Sequence, residues 1–287
     1  MVVSVVIPCY NSGQYLEDAV ASVMSQTYSD WEIVIVDDGS TDKDTLAVLY
    51  ALEARLDPRI RVMRQPNAGP AVARNTAITC ARGKYILPLD ADDTIEASYM
   101  EQAVPVLERD ADIGIVYCKA RKFGLEQGLW ELPSFSYEKM AVGNIIFCTA
   151  FFRRDDWKAV GGFLETLVHG MEDYDFWLKI LTIDRKVYQI DDVLFNYRIN
   201  ENSRTFRFKL NRDAVISTYA EIFRNNIEYF SKYAEAIYCY RFHLESKLPM
   251  NRVKCAVVRM LLPYPFFYRQ AKRIYTFGKR KHLEWKQ

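Results

Sequence analysis

At 287 residues, 50% apolar and 26% charged, the chain can bury a sizeable core and lacks the bias of disordered, collagen-like or small disulfide-framework proteins. Its formal net charge of +1 hides an asymmetry: residues 252–287 carry 10 Lys or Arg against Glu284 alone, net +9, which leaves residues 1–251 at −8 (28 basic, 36 acidic). Cys9, Cys80, Cys118, Cys148, Cys239 and Cys255 are scattered with no C-x-x-C pair, so neither a zinc site nor a disulfide framework is expected, and they read as buried thiols in a reducing compartment.

The first apolar run, residues 2–7, contains Ser4 and is followed by Pro8. It is too short for a signal-peptide core or a membrane span, and the protein is expected in the cytoplasm. Strand patterns recur at 31–36, 60–64, 85–89 and 113–118, with helices near 14–26, 41–55, 70–81 and 98–108 between them. Leu16, Ala19, Val20 and Val23 form one apolar helix face, and Gly13 and Asp42 sit near helix starts. Repeated β-α-β predicts an α/β fold with a mostly parallel sheet flanked by helices on both faces. Residues 119–142, interrupted by Gly124, Gly128 and Pro133, read as a loop, and 144–152 as a further strand. A helix begins at about Met171, two short strands at 187–190 and 194–198 close the unit, and the chain after Arg204 is helical and rich in Tyr and Phe. The expected domains are therefore 1–204 and a helical extension, 205–287.

Sheets of this kind bind ligands beyond the carboxyl ends of their strands, and three polar clusters stand there: Cys9-Tyr10-Asn11, Asp37-Asp38-Gly39-Ser40 and Asp90-Ala91-Asp92-Asp93. Asp37 to Asp42 serves either as a turn with a helix cap or, through one carboxylate, as an acceptor for a base N–H. The stretch from Asn67 to Asn75 places Arg74 early in a helix, either beside an anion or as a surface cation. The Asp90 cluster concentrates three carboxylates where an apolar strand reaches the surface. Such hard oxygens suit Mg2+ or Mn2+, and an ion of that kind commonly neutralises a diphosphate. Glu172, Asp173 and Asp175 open a helix and either complement its dipole or supply a general base whose pKa its acidic neighbour raises. No Ser-His-Asp set, G-x-G-x-x-G or P-loop motif occurs.

Together, Val5 to Asn11, Val36 to Asp42, Asn67-Ala-Gly with Ala73-Arg-Asn, Leu89 to Asp93 and Met171 to Trp177 resemble the family 2 glycosyltransferases, inverting enzymes of the GT-A fold, over roughly the first 200 residues. The resemblance implies a nucleotide-sugar donor, with a UDP-sugar foremost, and a glycan or lipid-linked acceptor in cell-surface glycan or polysaccharide synthesis. It implies that Pro8, Tyr10 and Asn11 line the nucleotide pocket, Asp38 contacts the base, Arg74 lies near the base or diphosphate, and Asp90 approaches the ribose or donor sugar. Asp92 would ligate Mn2+ or Mg2+ with Asp93 close behind, Asp173 would be the catalytic base, and Glu172 would neighbour it in the acceptor crevice. One departure stands out: where family members often carry a basic residue after a Tyr-Arg pair, this chain has Asn200, leaving Arg198 or Arg204 for the diphosphate.

Residues 252–287 interleave aromatic and apolar side chains with the ten cations. That pattern suits the surface of an anionic membrane on its cytoplasmic face, the alternative being packing on the acidic body within one chain or in a homodimer, and no nucleic-acid partner is expected. Two competing readings are a non-catalytic nucleotide-sugar-binding subunit and a haloacid-dehalogenase-like phosphatase, whose D-x-D motif usually ends the first core strand.

Overall fold

A computed structural model describes residues 1–201 and 204–247, with Met1–Tyr233 as one compact unit and the chain from Ala234 as a second. The first unit opens with β1 (Val3–Cys9), α1 (Gly13–Met24), β2 (Trp31–Asp37), α2 (Lys43–Ala54), β3 (Ile60–Arg64), α3 (Pro70–Cys80) and β4 (Tyr85–Pro88). The β1, β2 and β4 strands are apolar runs with no exposed residue, as strands covered on both faces must be. They pair in parallel in the order β3-β2-β1-β4. Leu16, Ala19, Val20 and Val23 are fully buried along α1. Asp42 caps α2 by accepting a 2.7 Å hydrogen bond from the Thr45 N–H. Pro70 opens α3 behind Gly69, whose φ of +91° favours glycine.

The chain continues through β5 (Thr94–Ile95), α4 (Tyr99–Arg109), β6 (Ile113–Gly124), β7 (Gly128–Trp130), α5 (Tyr137–Val142), β8 (Phe151–Arg153), α6 (Arg154–Ala159), α7 (Glu172–Thr182) and β9 (Lys186–Ile199). Here the sheet becomes mixed. β8 runs antiparallel between β4 and β6, β9 is parallel to β6, and β5 and β7 add antiparallel edges. Three local expectations change. The predicted loop at 119–142 holds the outer half of β6, the short β7 and α5. Of the strand expected at 144–152 only the end pairs, in β8, while Ile145, Ile146 and Phe147 are buried outside any ladder. The two strands predicted at 187–198 are the single long β9, whose register against β6 shifts around Lys119.

Helix α7 is seated by an aromatic cluster. Phe176 packs 4.8 Å from Phe152 of β8 and 4.4 Å from Phe163, which fixes the helix start against the sheet. The helices α8 (Arg204–Leu210), α9 (Arg212–Asn225) and α10 (Ile227–Lys232) complete the first unit, and α11 (Ala234–Lys247) is the described part of the second. Among the described residues no helix is long and apolar enough to cross a membrane. The basic, aromatic segment 252–287 lies outside them.

Candidate active site

The loops after β1 and β2 organise each other. Asn11, at φ +50°, accepts from the N–H of Thr41 at 2.8 Å and of Asp42 at 3.2 Å through its side-chain oxygen, while its own N–H donates to Ser40 Oγ at 3.0 Å. Asp38 is buried. Its carboxylate accepts from Gln65 Nε2 at 2.7 Å and from the N–H groups of Ala68 and Gly69 at 2.9 and 2.8 Å, so it shapes the loop that leads into α3. Pro8 is half-buried and Tyr10 is exposed beside them. Pro8, Tyr10, Asn11 and Asp38 thus stand at the carboxyl ends of β1 and β2.

The acidic cluster follows β4. Arg198 donates from its backbone N–H to Asp93 Oδ1 at 2.7 Å and from Nε to the Asp92 carbonyl at 2.8 Å, and its guanidinium lies over Tyr15 and Phe123, 4.4 and 4.3 Å from the ring centres. Asp93 is buried, and that burial, with the charges of Asp92 and Asp90, drives its pKa well up. Burial, then Asp90, pushes Asp92 up to about 6. Asn200 donates from Nδ2 to Asp92 Oδ2 at 2.8 Å, while its own Oδ1 is buried without a hydrogen-bond partner. Among the described residues no three His, Cys, Asp or Glu side chains are grouped to hold a metal. The donor set nonetheless fits a hard divalent cation: a carboxylate beside an orphaned amide oxygen offers oxygen ligands that water or a metal would satisfy.

The opposite side begins at Met171, a left-handed residue (φ +69°) that turns the chain into α7. Glu172 and Arg74 are buried, their side chains 5% and 4% exposed. Arg74 donates from Nη1 to Glu172 Oε1 at 2.7 Å and from Nη2 to Asp90 Oδ1, and Arg204 donates to Glu172 Oε2. The result is a row of alternating charges, Asp90–Arg74–Glu172–Arg204, that sums to zero. Burial alone would raise Glu172, but Arg204 and Arg74 outweigh it and hold the carboxyl below its ordinary value. Asp173 stands outside the row. Burial first, and the Glu172 charge second, push it up to about 6, against the pull of Arg74, the Tyr174 N–H and the Asn144 amide. Its Oδ1 accepts from Tyr174 N at 2.8 Å and its Oδ2 from Asn144 Nδ2 at 3.0 Å. The Cys148 thiol, raised by burial, lies within electrostatic reach of Arg74, Asp90, Asp173 and Glu172.

The fold joins Asp90, Arg74, Glu172 and Arg204 into one network, sets Asp173 beside it within electrostatic reach of Glu172 and Arg74, and places Asp92 and Asp93 next to Asp90 after β4. Among the described residues, Pro8, Tyr10, Asn11 and Asp38 make no hydrogen bond with that network. Arg74 is buried between two acids, and Asp38 uses both oxygens on its neighbouring loop. Asn144 and Cys148 were not singled out from the sequence: each is a lone residue in an apolar run, and only the packing of that run beside α7 brings it to the site.

The model of the family described as Glycosyl transferase family 2 matches residues 4–220. The chain is 34% identical over 198 residues to the chondroitin synthase of Pasteurella multocida (strain Pm70), covering 68% of this chain and 20% of that protein, so it spans a fifth of that relative's length. It is 33% identical over 207 residues to TuaG of Bacillus subtilis (strain 168), which carries the name of a teichuronic acid biosynthesis glycosyltransferase, covering 70% of this chain and 80% of TuaG. Among solved structures, S. aureus TarS 1–349 in complex with UDP superposes with a TM-score of 0.65 at 20% identity, covering 88% of this chain and 74% of that one. The mannosyltransferase PcManGT from Pyrobaculum calidifontis, in complex with GDP-Man and Mn2+, does so with a TM-score of 0.61 at 19% identity, covering 93% and 83%. At those identities the likeness is one of fold.

Proposed function

We propose that this chain, which belongs to glycosyl transferase family 2 and has the GT-A fold, moves a sugar with inversion from a nucleoside-diphosphate donor, a UDP-sugar foremost, to a hydroxyl of a glycan or lipid-linked acceptor. The observation that carries the reading is Asp173. It is a carboxylate in the first turn of α7 that accepts from Tyr174 N and Asn144 Nδ2, beside an acid neutralised by two arginines, and burial with the Glu172 charge pushes it up to about 6. A general base works best with a pKa near the operating pH. Asp173 accepts the acceptor hydroxyl's proton as that oxygen bonds to the anomeric carbon. The bond from that carbon to the diphosphate oxygen breaks on the opposite face, and the electron pair leaves with the nucleoside diphosphate. One displacement inverts the centre without a covalent sugar–enzyme intermediate.

Mg2+ or Mn2+, when bound, would neutralise charge on the donor diphosphate. Asp92 and Asn200 would hold it, with Asp93 behind them fixing Arg198. Pro8, Tyr10, Asn11 and the loop that Asp38 shapes would receive the nucleoside, and Asp90, anchored by Arg74, would face the ribose or sugar.

Two variants separate binding from chemistry. Asp92→Asn should abolish the Mn2+-dependent rise in melting temperature that a bound nucleotide sugar gives, since a ligand of the native state stabilises it. Asp173→Asn should keep that rise and lose about 10²- to 10⁴-fold in turnover. Normal turnover in Asp173→Asn removes the base assignment.

A further inference from the structure

The Asp173 carboxylate accepts two hydrogen bonds of different origin. The one from Tyr174 N comes from its own helix, whereas the one from Asn144 Nδ2 comes from the segment that follows α5. A second contact settles which end of that amide faces the acid. The Ile146 N–H donates to Asn144 Oδ1 at 3.2 Å, so the oxygen is engaged and the nitrogen points to Asp173. Ile145, Ile146 and Phe147 are buried, which ties this turn to the core and leaves the amide little freedom.

The charged and titratable groups around Asp173 are Glu172 and Arg74, with Cys148 and, from α9, Tyr219. Arg204 acts on Glu172. Among the described residues no hydrogen bond runs from Arg74 to Asp173: its two Nη groups donate to Glu172 and Asp90 and its buried Nε has no partner, while Glu172, a carboxylate, only accepts, from Arg74 and Arg204. Asn144 is therefore the neighbour that holds this carboxylate from outside its helix.

Resting on Asp173 as the base, we infer that Asn144 is a positioning residue for the proton transfer: its amide fixes the rotation of the Asp173 carboxylate and favours the charged form that receives the acceptor's proton. An amide N–H can only donate, so it matches a carboxylate and opposes a carboxylic acid whose proton sits on the same oxygen. Each Asp173 oxygen uses one lone pair in these contacts and keeps one for the hydroxyl proton, and Asn144 keeps its own protons throughout.

The test is the pH dependence of UDP release from UDP-glucose or UDP-N-acetylglucosamine, whichever raises the melting temperature with Mn2+, in wild type, Asn144→Asp, Asn144→Ala and Asp173→Asn. Asn144→Asp keeps an oxygen for the Ile146 N–H, so the turn survives, but it exchanges the donor to Asp173 for a second acid. Its acidic limb should move up by about one pH unit or more, because two carboxylates sharing a site raise one pKa. Asn144→Ala should move the limb less, in the same direction, and both should keep the donor-induced rise in melting temperature. If Asn144→Ala fails to fold, Asn144→Asp alone decides. An unmoved limb in Asn144→Asp, with Asp173→Asn inactive, overturns the role of Asn144 and leaves the base intact. Turnover in Asp173→Asn overturns the base itself, and the role of Asn144 with it.

Discussion

At the scale of single residues, the site separates two adjacent acids by what surrounds them. Glu172 is paired twice and stays charged, while Asp173 is raised by burial and by Glu172's charge. Replacing Glu172 with Gln removes that charge, so the Asp173 pKa should fall below about 6 and activity should persist at lower pH than in wild type. A pH–rate profile checks the sign, and an upward shift would contradict it. Arg74→Met leaves Glu172 buried with one partner fewer. Removing one member of a buried pair typically costs about 3–5 kcal/mol, and the Asp90 end adds little because its side chain is 38% exposed. Urea unfolding should therefore show a loss of that order. Asp90, Asp92 and Asp93 were legible in the sequence because carboxylates at the end of an apolar strand lack a structural excuse, whereas Glu172 and Asp173 open a helix whose dipole also accounts for them. Asn144 was not legible, because an isolated amide carries no period or spacing, and Asn200 drew notice only for the charge it lacks.

At the scale of elements, the start of α7 rests on Met171 in the left-handed region, which costs an L-residue about 1–2 kcal/mol. Met171→Gly should relieve that cost and raise the melting temperature or leave it unchanged, whereas Met171→Val should lower it. Thermal unfolding of the pair distinguishes a backbone effect from the loss of the Met side chain, which both variants share. The half of the sheet from β1 to β4 could be read in advance because its strands are apolar runs bounded by turn residues. The outer half could be read only in part: strands were expected at 113–118, 187–190 and 194–198, but not the length of β6 or the continuity of β9. Lys119, Arg121 and Lys122 interrupt the apolar pattern of β6 where its hydrogen bonds continue, and Asp191 and Asp192 divide β9 in sequence although the strand is continuous. Ile145 to Phe147 mislead in the other direction, since they are apolar for burial and form no ladder.

At the scale of the whole molecule, charge is segregated along the chain, with net −8 in residues 1–251 and +9 in 252–287. Near an anionic membrane each cation contributes about 1 kcal/mol, and aromatic residues among the cations suit the interface. We propose on that charge pattern alone that 252–287 meets an anionic membrane: truncation after Asn251 should then abolish co-flotation with vesicles containing anionic lipid and leave donor-induced stabilisation intact. Undiminished flotation of the truncated protein would remove the membrane role.

The Arg74 bridge also limits how this protein can be recombined. Its guanidinium comes from α3 and one of its two acids from α7, 98 residues later. A chimera spliced between these helices would inherit Arg74 from one parent and the residue at position 172 from the other. Exchange of segments containing α7 among relatives should therefore succeed when the incoming helix begins with an acid that accepts this arginine. When it offers no acceptor oxygen to this arginine, the graft should lose stability by about as much as Arg74→Met does, about 3–5 kcal/mol, which urea unfolding reads before substrate choice is tested.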